Sequence, residues 1–148
     1  MEMDDNYRDA VYRMYESSDV LFEKQQWFNA NYLAGYVLEC YCKLILLMAV
    51  GQGYAFSGGQ QKVRKFGHAV SELRDEVDFI RLGSCAVAGY CIDVQEVCPN
   101  ILGEWNPNKR YGADSSVLNT EALAVKIHTE MEALMDMVIK MEVDGVLA

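Results

Sequence analysis

The chain has 148 residues, 13 Lys and Arg against 22 Asp and Glu for a net charge of -9, and is 51% hydrophobic and 24% charged. That length fits a single domain, 1–148, whose core needs no metal or disulfide staple, and the composition excludes wholesale disorder. The acidic balance argues against a general nucleic-acid binder, because phosphate backbones draw most of their protein affinity from Lys and Arg.

The first helix is predicted from about Asn6 to Gln25. Tyr7, Val11, Met14, Ser18 and Leu21 alternate at spacings of four and three, and Tyr15 and Phe22 widen the stripe. A turn near Gln26 to Phe28 leads almost at once into the stretch that organises the chain, Trp27 to Val50. A connection this short forces an antiparallel hairpin. The second stretch, WFNANYLAGYVLECYCKLILLMAV, is apolar nearly all round and is interrupted only by Glu39 and Lys43. These two lie four apart with Glu nearer the N-terminus, the better orientation for an ion pair on one helix face. Their mid-run position leaves no uncharged stretch long enough for a membrane span, so the run is expected to be the central helix of a soluble bundle, buried on several sides.

Gly51, Gly53, Gly58 and Gly59 end that helix. Neither GxGxxG nor GxxxxGK[ST] is present and no strand leads in, so the segment reads as a flexible connection rather than a phosphate-cradling loop. Lys62, Arg64 and Lys65 form the only compact basic cluster and read either as a phosphate contact or, the more usual case for cations on a loop, as solvated. A third helix is predicted from near His68, with Val70, Leu73, Val77 and Ile80 on one stripe, stopping at Gly83. A fourth, from about Ser84, carries Val87, Cys91, Val94 and Cys98 up to Pro99. Pro99 to Ser115 is expected to be a loop, with a turn at Asn106-Pro107-Asn108 that places Trp105 on one side and Arg110-Tyr111 on the other. The last helix, from Ser116 or Thr120 to Val143, has the stripe Leu123, Ile127, Met131, Leu134, Val138 and Met141. No strand pattern appears, so the class is all-α.

Five cysteines, Cys40, Cys42, Cys85, Cys91 and Cys98, form neither a CxxC pair nor a Cys/His zinc set, so free thiols and no metal site are expected. Met1 to Asp5 lacks the basic and apolar regions of a secretory signal. Together with reduced cysteines this predicts a cytoplasmic protein.

Trp27-x-x-Ala30-x-Tyr32-x-Ala34-Gly35-Tyr36-x-x-Glu39-Cys40-x-x-Lys43, then His68 opening a helix, then Trp105-x4-Arg110-Tyr111 ahead of the last helix, resemble the HEPN family over nearly the whole chain. The resemblance implies an up-and-down antiparallel bundle of about five helices, often a homodimer. Members include metal-independent RNases, toxins paired with minimal nucleotidyltransferase antitoxins, and non-catalytic nucleotide-binding or scaffolding modules. The RNase members carry Arg-x4-6-His, which lets a cation and a proton-transfer group meet at one phosphate. Here Arg64 and His68 are separated by only three residues and Arg110 is far from His128, so no catalytic residue is assigned.

The candidate ligand-binding residues are Lys43, Arg110, Tyr111, Glu39, His68 and Trp105. Glu39, Lys43 and Arg110 form either an anion pocket or a mutually neutralising network. Trp105 and Tyr111 either stack a base or pin the loop. His68 reads as a helix cap and His128 as partly buried packing. The resemblance, with the missing Arg/His pair and the net acidity, leads to the expectation of a non-catalytic, dimeric module that binds a nucleotide or partners a minimal nucleotidyltransferase-type protein. It needs no cofactor and no membrane. The alternative is an RNase of the toxin type whose active site is degenerate or completed across the dimer.

Overall fold

The structure, a computed structural model, describes residues 6–56 and 63–147, with Arg64 as backbone only, and every regular element among them is helical. Gly58, Gly59, Lys62 and the Arg64 side chain, and with them most of the predicted basic cluster, lie outside the described residues.

α1 (Tyr7–Glu23) begins where Asn6 Oδ1 accepts a hydrogen bond from the Asp9 amide at 2.9 Å. Its turn into α2 (Trp27–Gly51) is closed by Gln25, which takes the left-handed conformation at φ 61° although it is not glycine. The Gln26 amide meets the Leu21 carbonyl at 2.8 Å and completes the reversal. Ser18 is buried and donates to the Ala30 carbonyl at 2.7 Å, so the two helices approach closely just beyond the turn. α2 is long and apolar enough to cross a membrane, with a mean hydropathy of 1.8, yet 72% of that window is buried against neighbouring helices. It is the core helix of the bundle.

α6 (Glu121–Val143) starts at Thr120, whose hydroxyl accepts from the Leu123 amide at 3.4 Å. Every residue of its predicted stripe is buried. α6 runs antiparallel to α1: Arg8 and Tyr12 both bond Glu142 near its end, Tyr15 bonds Glu132, and Asp19 meets His128 near its beginning. α3 (Val70–Arg81) starts beside the middle of α2, where His68 meets Glu39. Tyr54, just past the end of α2, donates to Glu76 at 2.8 Å.

The predicted fourth helix is broken. Ala86–Tyr90 forms a 3-10 turn and α4 covers only Val94–Val97. The buried Tyr41 hydroxyl donates to the Tyr90 carbonyl at 2.6 Å and accepts from the Ile92 amide at 3.0 Å, taking backbone groups that a continuous helix would pair internally. Asp93 then caps a new start by accepting from the Glu96 amide.

The predicted loop from Pro99 is also corrected. Pro99–Glu104 is α5, with proline at its first position, where the missing N–H costs nothing. The buried Glu130 carboxylate, reaching across from α6, accepts from the Asn100 amide at 3.1 Å, the Asn100 side chain at 2.6 Å and the Ile101 amide at 2.9 Å. A carboxylate at a helix N-terminus satisfies the free amides and complements the dipole, but here the accepting residue lies on another helix and leaves no local signature. Pro107–Tyr111 follows as a 3-10 turn, capped by Asn106.

The five cysteines are unpaired. Burial pushes the Cys40, Cys91 and Cys98 thiols up to about 12 and Cys42 well above its ordinary value, so they pack as neutral apolar groups.

Candidate functional site

The candidate residues fall into two neighbouring groups joined by a ladder of aromatic rings. At the centre of the first, Glu39 Oε2 lies 3.4 Å from Lys43 Nζ one turn along α2, and Glu39 Oε1 lies 2.6 Å from His68 Nδ1. The carboxylate and the ammonium are deeply buried, at 6% and 7% side-chain exposure, whereas the imidazole is 56% exposed. Lys43 Nζ also stands 5.3 Å from the Tyr7 ring, a cation–π contact that supplements its ion pair. His68 is not the cap of α3. The cap position is Ala69, without a side-chain bond, and the imidazole turns instead toward α2.

Tyr36 packs edge-on against His68 at 5.9 Å and against Trp105 at 4.9 Å. Its hydroxyl shares a hydrogen bond of 2.9 Å with Tyr32, which donates to the Pro107 carbonyl at 3.2 Å. Trp105 is buried and donates from Nε1 to the Tyr32 carbonyl at 2.8 Å, so it pins the segment after α5 to α2. The ring fits only because position 35 is glycine: a Cβ there would sit 2.1 Å from three indole carbons. Burial, then the Tyr32 bond, raises the Tyr36 hydroxyl pKa. Glu39 adds to the rise and Arg110 opposes it, which places both charges within electrostatic reach of this one ring.

Arg110 and Tyr111 form the second group. The guanidinium stacks over the Tyr111 ring at 4.8 Å, and Tyr111 is 78% exposed. Among the described residues no carboxylate is in ion-pair range of Arg110. Lys43 and Arg110 are therefore not brought together around Glu39 as the sequence suggested: His68 takes the second place at that carboxylate. Arg110 instead borders a pocket of about 400 Å³ lined by Gln25, Gln26, Phe28, Asn29, Gly112, Asp114 and Asn119. Gly112 lies against this wall, where a Cβ would come 3.2 Å from the Phe28 ring. Four side-chain amides, one aromatic ring, the Asp114 carboxylate and the Arg110 guanidinium give the pocket both donors and acceptors. The amides come from the α1–α2 turn and from a residue some ninety positions later, which sequence spacing cannot join.

Sequence reasoning, which expected no metal site, also passed over a cluster between α1 and α6. His128 Nε2 faces Asp19 Oδ1 at 2.8 Å and Glu132 Oε1 at 3.4 Å, and the ring stacks on Phe22 at 4.2 Å. His128 and Glu132 at i and i+4 were a legible signal, but Asp19 joins them only through helix packing.

Comparison with protein-family models, with curated proteins and with solved structures found no match to this chain.

Proposed function

We propose that the protein is a non-catalytic, HEPN-like binding module that takes a nucleotide in the pocket bordered by Arg110. The observation that carries this reading is the exposed guanidinium without an acidic partner among the described residues, beside an amide-lined cavity. Arg110 is suited to a phosphate through paired N–H donors. Gln25, Gln26, Asn29 and Asn119 offer hydrogen bonds to a base edge and Phe28 a ring face, and the volume is in the usual range for a small ligand. Trp105, Tyr36 and Tyr32 are the support that holds the 106–112 segment in place, beside the buried Glu39–Lys43 pair and the half-exposed His68.

Arg110→Ala is expected to weaken nucleotide binding by at least about tenfold, the loss of one charge-assisted contact, while leaving the melting temperature nearly unchanged because the side chain is exposed. Calorimetric titration with nucleoside mono-, di- and triphosphates, paired with thermal melts, reads both quantities. If no nucleotide shifts the wild-type melt, or if Arg110→Ala destabilises the fold instead, the arginine is a structural pin and the nucleotide reading is wrong.

The module is also proposed to be a homodimer, and a minimal nucleotidyltransferase-type protein is its proposed heterologous partner. Val125, Ile139 and Val143 are exposed along α6, and Phe79 and Leu82 stand out at 59% and 76% exposure near the end of α3. Apolar surface of this kind is normally buried by association. Light scattering over a concentration series is expected to give twice the chain mass, and a monomer throughout removes the proposal.

One observation favours the second reading, an RNase with a degenerate or dimer-completed site. Glu39 holds His68 at Nδ1 while the ring is half exposed, an arrangement that leaves Nε2 toward solvent for proton transfer. RNA cleavage by the wild type that is abolished in His68→Ala would select this reading over the binding module.

A further inference from the structure

Asp19, His128 and Glu132 meet in the seam between α1 and α6. Their facing atoms, Asp19 Oδ1, His128 Nε2 and Glu132 Oε1, all lie within 4.8 Å of one another. The imidazole nitrogen is the point of convergence, 2.8 Å from Asp19 and 3.4 Å from Glu132. Ligand atoms around a four-coordinate ion with bonds of about 2.0–2.2 Å are separated by roughly 3.3–3.6 Å, so only small side-chain adjustments are needed.

We propose that these three side chains form a binding site for one divalent transition-metal ion, with Zn2+ as the best-suited probe. One imidazole with two carboxylates is a borderline donor set that suits zinc better than magnesium or calcium, which favour oxygen alone. The surroundings supply what such a site needs. Phe22 lies nearly parallel to the His128 ring at 4.2 Å and 18°, which fixes the direction of Nε2. Tyr15 donates at 2.7 Å to Glu132 Oε1, the same oxygen that faces His128, and so holds the carboxylate in this orientation. The three side chains are 22%, 35% and 43% exposed for His128, Asp19 and Glu132, so an ion can enter and solvent can fill the remaining position. Without the ion the same atoms form a carboxylate–imidazole hydrogen-bond network. The ion binds the Nε2 lone pair of the neutral ring, whose proton then resides on Nδ1. Because it would tie α1 to α6, the site couples metal to the stability of the bundle.

The test is a calorimetric titration of chelator-treated, reduced protein with Zn2+, with Co2+ spectra in parallel. The expected result is one ion per chain and a raised melting temperature, with uptake lost in His128→Ala. Asp19→Asn and Tyr15→Phe, which keep the side-chain shapes, are expected to weaken uptake by about tenfold or more. His68→Ala is expected to bind as the wild type does, and the Co2+ spectrum to lack the thiolate charge-transfer band that the cysteines would give. Absence of uptake by the wild type overturns the proposal. So does uptake that survives both His128→Ala and Asp19→Asn, or that carries the thiolate band.

Discussion

Gly35→Ala is expected to lower stability by about 3 kcal/mol, or roughly 10 °C in melting temperature, although alanine is the better helix former. In an exposed helix interior the same change would stabilise by up to about 1 kcal/mol. Here a Cβ would lie 2.1 Å from Trp105 Cγ, Cδ1 and Cδ2. Those atoms are the root of a large ring and cannot swing aside as the end of a flexible chain does. Either α2 shifts or the indole leaves its site, giving up its burial and the 2.8 Å bond to the Tyr32 carbonyl. Thermal or urea denaturation of Gly35→Ala, Trp105→Ala and the double variant checks the mechanism. In the Trp105→Ala background the glycine substitution should cost nothing, because the two effects share one contact. A single variant with a wild-type melting point would show that the indole moves freely and does not anchor the 106–112 segment.

Glu39→Ala is expected to cost a similar amount, about 3 kcal/mol, for an electrostatic reason. The carboxylate is the only acid that the buried Lys43 ammonium pairs with among the described residues, and it also accepts from or shares a proton with His68. Removing it leaves a buried cation whose remaining compensation among the described residues is the face of Tyr7 at 5.3 Å. The pair as a whole is worth much less than its disruption, since two charges were desolvated to make it. Replacing both residues, as in Glu39→Leu with Lys43→Met, should therefore recover most of the loss. Chemical denaturation of the single and double variants separates these cases. A cost below about 1 kcal/mol for Glu39→Ala would mean that Lys43 reaches solvent and that the cluster is not a buried support.

How much of this was legible beforehand differs element by element. α1, α2, α3 and α6 were readable because their signals are local: a stripe at three and four spacing, and a glycine run that ends α2. The Glu39–Lys43 pair was legible for the same reason, being one helical turn apart. Within 84–115 the turn at Asn106-Pro107-Asn108 is where the sequence puts it, but the broken fourth helix and the helix at Pro99–Glu104 are not legible, because they are set from outside. Tyr41 takes the backbone of residues 90 and 92, and Glu130 caps α5 from another helix. No window of sequence contains both members of either contact.

The chain by itself thus determined the all-α class, the buried central helix and the residues that would be charged within it. Only the tertiary structure decided what those charges face. It set His68 rather than Arg110 against Glu39, placed Arg110 on a pocket built from the α1–α2 turn and the segment ahead of α6, and brought Asp19 to His128 and Glu132. The physical reason is one of range. Helix formation depends on neighbours within four residues, whereas these clusters join side chains 29 and 109 positions apart, whose meeting is fixed by how the apolar faces pack and by nothing local to either residue.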